Sequence, residues 1–155
     1  MPLETFDWIR GLKAIEHEYR VALIAMRRLT AQARHDPTIL DRDIRFREIE
    51  VALSNLNATY AVRLFAEFET GLRKFWVATR NEEEPRSVAE LIDRIASRHG
   101  VRHDDLTNAH RSRRYRNRQI HANEEEGETI EVGDCRGFLC TFLGNTPLTW
   151  ERPIP

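Results

Sequence analysis

The sequence between residues 41 and 79 reads DRDIRFREIEVALSNLNATYAVRLFAEFETGLRKFWVAT, and this stretch decides the fold. Its apolar side chains recur at steps of three or four residues: Ile49, Leu53, Leu56, Tyr60, Leu64, Phe68, Leu72 and Phe75. That spacing places them on one face of an α-helix, and neither Gly nor Pro interrupts it before Gly71. We predict one helix over residues 41–79, roughly 55–60 Å long at 1.5 Å per residue. Such a length is typical of a bundle spine or of a strut in a dimer.

The segments before and after this helix are also predicted to be helical. Residues 8–29 repeat apolar side chains with a helical period that fades before the break at 35–37, His-Asp-Pro. After an acidic loop, Ser87 and Glu90 have the spacing of a capping box, and Gly100 is positioned to end a short third helix.

Two more helices are predicted in the last third of the chain. One starts at Asp104 or Asp105 and continues to about Asn123, and another starts at Asp134. Residues 144–155 are too rich in Pro to extend the last helix, and the only strand-like pattern is a short one over residues 129–132. The prediction is therefore an all-α bundle of four to five helices with a long second helix.

The composition restricts the classes of function. The chain has 155 residues and a formal net charge of −1, which argues against a uniformly basic nucleic-acid coat protein and leaves any phosphate affinity to a local patch. Cys135 and Cys140 are too few and too close for a disulfide framework or a zinc site. No stretch approaches membrane-spanning length. We expect a single cytoplasmic domain over residues 1–155 that is not bound to a membrane.

The fourth helix carries the most unusual stretch, residues 110–121, which read HRSRRYRNRQIH. It contains five arginines, two histidines and no carboxylate. Residues placed at intervals of about 100° put Leu106, Ala109 and Ile120 on the side that should face the protein, together with Arg113. A guanidinium that faces a core is costly unless it is paired, so an anionic group is expected to meet this face.

Glu69 is the candidate for that anionic group, because it lies within an apolar stripe of the long helix. In the structural interpretation, Glu69 and one arginine form a partly buried ion pair that fixes the register of two helices. In the functional interpretation, Arg116, Asn117 and His121 converge on a groove that holds a phosphate, and Glu69 orients one of them. Asn117 and His121 are four residues apart and share a helix face.

Residues 116–121, Arg-Asn-Arg-Gln-Ile-His, match the R-N-x-x-x-H form of the Rx4-6H motif and resemble that of the HEPN superfamily (higher eukaryotes and prokaryotes nucleotide-binding). The motif follows a long helix with the phrase Leu-Phe-Ala-Glu-Phe-Glu-Thr over residues 64–70, similar to HEPN domains that carry a glutamate at what corresponds to Glu69. The resemblance covers most of the chain in layout but only these two phrases in sequence. It implies a HEPN-like helical fold.

The resemblance implies a metal-independent endoribonuclease without a cofactor, in which the 2′-hydroxyl of the RNA attacks the phosphate. His121 has a side chain that exchanges protons near neutral pH, so it is the predicted general acid or base. Arg116 would stabilise the charge of the transition state. Asn117 would orient His121 or the phosphate, and Glu69 would hold Arg116.

Family members commonly place two such motifs across a dimer interface, so the resemblance also implies a homodimer. Arg113, Arg114 and Arg118 are then expected to form a phosphate-binding rim around the cleft, although a solvated surface is equally compatible with them. The expected partners are an RNA substrate and, for the toxin of a toxin–antitoxin or phage-defence system, an antitoxin protein. Two other classes stay open: a non-catalytic HEPN module that binds nucleotide or RNA, and a helical dimerisation module with an internal salt-bridge network.

Overall fold

The computed structural model of the chain describes residues 4–121 and 126–151. It is an all-α bundle, as predicted, with the helices α1 (Thr5–His35), α2 (Phe46–Thr79), α3 (Val88–His99), α4 (His103–His121) and α5 (Val132–Gly144). A 3-10 turn at Pro37–Ile39 connects the two longest helices. Within the described ranges there is no strand, and the only β-type pairing is an isolated bridge between Glu4 and Thr149.

The long helices α1 and α2 form an antiparallel hairpin on which the other helices pack. At the end of this hairpin away from its connecting turn, the close approach of α1 to α2 depends on Gly71. An added Cβ there would lie 3.0 Å from the ring of Trp8. A larger residue fits that contact only if the Trp8 ring or one of the two helices shifts. Farther along the pair, the side chain of Glu18 on α1 receives two hydrogen bonds from Arg63 on α2.

The core lies between α2 and the shorter helices. Phe65, Phe68 and Leu72 of α2 are fully buried, and the ring of Phe68 meets that of Phe142 of α5 edge-on at 5.5 Å between centroids. Aromatic and large aliphatic side chains at this spacing explain why the periodicity of α2 predicts its inward face. Burial of each such side chain contributes about 1.5–3 kcal/mol of transfer free energy.

The segment after α5 packs back on the start of α1. The hydroxyl of Thr5 donates to the carbonyl of Pro147 at 2.6 Å and accepts from Trp150 Nε1 at 2.8 Å. The Trp150 ring stacks parallel to that of Trp8, with centroids 6.0 Å apart. Residues 145–151 are thus irregular, as expected, but they are fixed to the bundle by hydrogen bonds and aromatic contacts.

Three predicted helix starts are wrong by a few residues, and that of α4 is His103, ahead of the predicted Asp104 or Asp105. The helix α2 begins at Phe46, not at residue 41, because Ile44 N–H closes a turn on the carbonyl of Asp41 and Arg45 N–H donates to Glu48 Oε2 at 2.6 Å as the helix starts. The helix α5 begins at Val132, two residues before Asp134. The predicted end of α4 at Asn123 falls outside the described residues.

Residues 129–132, the only strand-like stretch of the sequence, do not form a strand. Ile130 is buried, and its carbonyl accepts a hydrogen bond from Asn57 Nδ2 at 3.0 Å. The Val132 N–H donates to Asn57 Oδ1 at 2.9 Å. One side-chain amide of α2 therefore satisfies the backbone groups that a neighbouring strand would otherwise pair.

None of the helices in the described part of the chain combines the length and the apolar character needed to cross a lipid bilayer.

Candidate functional site

The helix α4 positions every candidate residue of the Arg-rich stretch. It follows Gly100, whose φ of 63° ends α3 in the left-handed conformation that favours glycine. Asp104 and Asp105 lie in its first turn, where they complement the partial positive charge of a helix N-terminus. Its fully buried face consists of Ala109, Ser112 and Tyr115.

The predicted inward face of α4 is therefore only partly correct. Leu106 and Ala109 do contact the core, but the side chain of Ile120 is 50% exposed. Ile120 lies beside an open groove of about 450 Å³ whose other wall is the α2 surface from Asn55 to Val62. The buried face of α4 differs from the predicted one because Tyr115 and Ser112 enter the core with their hydroxyls hydrogen-bonded. A pattern of apolar residues does not include these two side chains. Tyr115 OH accepts from Asn57 Nδ2 at 3.2 Å.

Glu69 and Arg116 form the ion pair that joins α2 to α4. Arg116 Nη2 donates to Glu69 Oε2 at 2.6 Å, and both side chains are only 20% exposed. The guanidinium also lies over the ring of Phe65, 5.1 Å from its centroid. The expected carboxylate partner of the arginine face is thus present, and the arginine that it contacts is the first residue of the R-N-x-x-x-H motif.

The second oxygen of Glu69 is engaged by an arginine of its own helix. Arg73 donates to Glu69 Oε1 from Nη2 at 2.8 Å and from Nε at 3.1 Å. Arg73 also contacts the carboxylate of Glu84, and these hydrogen bonds, that of Glu84 most of all, raise the pKa of Arg73. The Glu69 carboxylate therefore bridges the guanidiniums of Arg116 and Arg73, and the Glu84 carboxylate offsets the remaining positive charge at Arg73.

Asn117 and His121 differ in how closely they join this pair. Arg116 Nη1 donates to Asn117 Oδ1 at 3.0 Å, so the amide shares the guanidinium with Glu69. His121 is the last residue of α4 and is exposed. It makes no hydrogen bond to Arg116 or Asn117 in the described structure, and five residues separate it from Arg116, about 7.5 Å along the axis. The chain thus brings Glu69, Arg116 and Asn117 into contact but leaves His121 about 1.4 turns away along α4.

Arg113 meets an imidazole, although a carboxylate was the expected partner. Arg113 Nε donates to His110 Nδ1 at 3.3 Å, and His110 Nε2 lies 2.7 Å from Asp93 Oδ1 on α3. In this arrangement His110 donates from Nε2 to the carboxylate and accepts on Nδ1. Burial, followed by the neighbouring Arg114, lowers the pKa of Arg113. A guanidinium in this position favours an additional anion, because its charge is only indirectly compensated.

The two other rim candidates point in different directions. Arg114 is exposed and makes no hydrogen bond to the described residues. Arg118 donates to the carbonyl of Glu128 and lies 5.9 Å from the centroid of the Tyr115 ring. Two residues separate Arg118 from Arg116, about 200° around the helix. Arg118 thus contributes charge to the edge near residues 126–131 and is not gathered with Arg116.

Sequence reasoning did not identify Arg73, Glu84, Asp93 or the role of His110. The spacing of Glu69 and Arg73 is four residues, which is the spacing of a helical ion pair and could have identified Arg73. Asp93 is on another helix, and no local pattern connects it with His110. Contacts of that kind become visible only when α3 and α4 are placed side by side.

A metal site is not formed by any group of three or more His, Cys, Asp or Glu side chains in the described ranges. His99 ends α3 and His103 begins α4, so the left-handed turn at Gly100 separates these two histidines. Burial raises the pKa of the Cys135 thiol to about 11, so this cysteine is a core residue and not a nucleophile at neutral pH.

No protein-family model matches the sequence, and no curated protein or solved structure is significantly similar to it. The assignment of a function therefore rests on the residues of α2 and α4 and on their geometry.

Proposed function

We propose that the chain is a metal-independent endoribonuclease of HEPN type, with Arg116, Asn117 and His121 as its catalytic residues and Glu69 as the residue that positions Arg116. The observation that supports this proposal best is the contact of Glu69 with Arg116. It pairs the glutamate of one HEPN-like phrase with the arginine of the other, across two helices and 47 positions of sequence.

The geometry of Arg116 suits binding of a phosphate. Glu69 and the Asn117 amide hold the guanidinium from two sides, and its partial exposure leaves donor capacity toward the outside of the bundle. A preorganised guanidinium stabilises the negative charge that develops on the phosphorane without reorganising during the reaction. Arg113 lies three residues away on α4 and adds positive charge nearby.

The proposed reaction needs proton transfer but no protein nucleophile. The 2′-hydroxyl oxygen bonds to the phosphorus and gives its proton to a base, while the bond from phosphorus to the 5′-oxygen breaks and an acid protonates that oxygen. The products are a 2′,3′-cyclic phosphate and a 5′-hydroxyl end. His121 is exposed at the end of α4 and supplies one of the two proton-transfer groups.

A homodimer supplies the second group in this proposal. His121 and Arg116 of one chain are about 7.5 Å apart along α4, so a single copy offers only one histidine for proton transfer. A second copy that faces the groove beside Ile120 would bring a second His121 to the same cleft. The half-exposed Ile120 supports an interface at this position, because an apolar side chain gains free energy when a partner covers it.

RNA cleavage in the presence of EDTA tests the proposal. We expect His121→Ala to abolish cleavage without changing thermal stability, because the side chain is exposed and makes no hydrogen bond to the described residues. Arg116→Ala is expected to abolish cleavage as well. The matched controls are His17→Ala, an exposed histidine on α1, and Arg94→Ala, an exposed arginine that also pairs with a carboxylate. Cleavage by His121→Ala at the wild-type rate would remove the assignment.

The alternative is a helical module in which the arginines only stabilise the fold. The bridge from Arg73 through Glu69 to Arg116 favours it, because both oxygens of the carboxylate are already engaged. In that case Arg116→Ala lowers stability, and neither the wild-type chain nor Arg116→Lys cleaves RNA. A toxin or phage-defence role with an antitoxin partner is a further step of the proposal, and growth arrest on expression that His121→Ala relieves would support it.

A further inference from the structure

Four cations recur at intervals of seven residues along α1: Lys13, Arg20, Arg27 and Arg34. All four are exposed. Seven residues fall just short of two helical turns, so successive members are about 10.5 Å apart along the axis and shift by only about 20° around it. The four side chains, which we call the α1 cation row, therefore follow one edge of the helix for about 32 Å.

The carboxylates nearest in sequence do not neutralise this row. Glu16 and Glu18 are the only acidic residues between Lys13 and the end of α1. Glu16 accepts a hydrogen bond from Arg136 Nε of α5 at 2.7 Å, and Glu18 accepts from Arg63 of α2. Both are thus directed to arginines of other helices, and in the described part of the chain no member of the row forms an ion pair.

Helix stabilisation accounts for one member of the row but not for the others. Arg34 lies in the last turn of α1, where a cation complements the helix dipole, and its guanidinium lies over the ring of Phe46 at 5.8 Å. Arg20 and Arg27 are in the middle of the helix, where the dipole has no such effect. A spacing near the Debye length of about 10 Å at 0.1 M salt limits their mutual repulsion, so the row persists without a partner and is available to one.

We propose that the α1 cation row binds the phosphate backbone of RNA. A rigid helix with evenly spaced guanidiniums matches a polymer with evenly spaced charges, and the planar guanidinium suits phosphate oxygens. An anionic membrane surface fits less well, since membrane-surface helices insert a free apolar face. Leu12 and Ile15 of α1 are buried in the bundle. The exposed large apolar side chains of this helix, Phe6, Val21, Ile24 and Leu29, are spread over about six turns and do not form one continuous face.

This surface is distinct from the site at Arg116. Arg63 and Glu67 of α2 face α1, as shown by the bond of Arg63 to Glu18 and by the contact of Glu67 with Gly11. Glu69 is two residues beyond Glu67 and faces α4, about 200° away around α2. An RNA that contacts both surfaces must pass around the bundle, so the row adds affinity for long RNA and does not depend on cleavage.

The test compares two triple variants that have the same net charge. Arg20→Gln, Arg27→Gln and Arg34→Gln together remove the arginines of the row, whereas Arg10→Gln, Arg63→Gln and Arg94→Gln remove three exposed arginines that pair with carboxylates. The probe is a 2′-O-methyl RNA of about 30 nucleotides, which lacks the attacking hydroxyl, and its dissociation constant is measured by fluorescence anisotropy between about 50 and 200 mM KCl.

We expect the row variant to reduce the slope of log K against log salt by about 2, since each lost phosphate contact removes about 0.7 from the slope for a single strand. Over that fourfold change in salt, the wild-type chain would lose roughly twentyfold more affinity than the row variant. The control triple should retain the wild-type slope. Circular dichroism spectra should be the same for all three proteins.

Equal slopes for the wild-type chain and the row variant would overturn the proposal, and so would an equal loss in the control triple. The row variant could lose binding to phosphatidylserine vesicles while its RNA affinity stays the same. That result would overturn RNA as the ligand of the row and identify an anionic membrane surface in its place. Binding that depends on the row in a protein that never cleaves RNA would leave this inference standing and remove only the ribonuclease. RNA cleavage without binding that depends on the row would support the ribonuclease and overturn only the inference about the row.

Discussion

Glu69 Oε2 accepts a hydrogen bond from Arg116 Nη2 at 2.6 Å, and this bond joins the second half of α2 to the second half of α4. Glu69→Gln keeps the shape but removes the charge that both Arg116 and Arg73 contact. Because hydrogen bonds to charged groups contribute about 1.5–3 kcal/mol, we expect the free energy of unfolding to fall by about 1–3 kcal/mol. Urea denaturation measures it.

The control for this charge removal is Glu90→Gln. Glu90 also pairs with an arginine four residues away, but its side chain is 48% exposed. Exposed helix pairs contribute about 0.3–0.5 kcal/mol, so this variant should unfold close to the wild-type midpoint. An equal loss in both variants would mean that the contact between α2 and α4 adds nothing beyond a surface ion pair.

Asn57 is expected to be the most sensitive polar side chain outside the candidate site. Its amide donates to Tyr115 OH and to the Ile130 carbonyl, and it accepts from Val132 N–H. Asn57→Ala leaves those groups without a partner, so we expect a loss of about 2–3 kcal/mol of unfolding free energy. Asn55→Ala, an exposed change two residues away on the same helix, should have little effect. A similar loss in both variants would contradict the role of Asn57.

Glycine-to-alanine substitutions are expected to change stability in opposite directions at two helical glycines, one at the contact of α1 with α2 and one in open space on α5. Gly71→Ala places a methyl group 3.0 Å from the Trp8 ring, and such overpacking costs about 1–3 kcal/mol. A Cβ at Gly137 of α5 meets nothing within 4 Å, so Gly137→Ala should stabilise the chain by about 0.5–1 kcal/mol through helix propensity. Thermal melting of both variants measures the two signs.

The His99 side chain predicts a stability that depends on pH. Burial, followed by Arg80 and Arg98, lowers the pKa of His99 below its usual value of 6.5. The unfolded chain then binds the proton more readily than the folded chain, so this stabilisation is present above about pH 6.5 and is lost as the pH falls below it. In urea titrations, His99→Leu should reduce the loss of stability on acidification.

His17→Leu is the control for that titration, because His17 is exposed on α1. Subtracting the pH profile of each variant from that of the wild-type chain removes the contributions of all other titratable groups. A His99→Leu profile parallel to that of the wild-type chain would show that the environment of His99 does not differ between the folded and unfolded states.

The elements that the sequence predicts well are those with a long, regular apolar period. The inward positions of α2 follow directly from steps of three and four, and Ser87 and Gly100 bound α3 through local hydrogen bonding and a positive φ. The start of α2 was less predictable, because residues 41–45 are compatible with either a helix or a turn. Only the bond of Arg45 N–H to Glu48 decides between them.

The candidate site was predictable where one helix carries the pattern and unpredictable where two helices meet. The choice of Glu69 as a partner for the arginines needs only a carboxylate on an apolar stripe. The particular arginine, Arg116, depends on the rotation of α4, which Tyr115 sets by reaching Asn57. That polar contact turns Ile120 outward, and a purely apolar reading of α4 cannot anticipate it.

The hydrogen bonds of Thr5 also have a consequence for the time course of folding during synthesis. The partners of this side chain are 141 to 145 positions later in the chain. The first turn of α1 can therefore reach its final environment only after Trp150 has left the ribosome. The direct contacts between α1 and α2 involve no residue beyond Thr79, so they are available earlier. Closure of the bundle is thus a late event, in which the N-terminal turn of α1 joins the segment that is synthesised after α5.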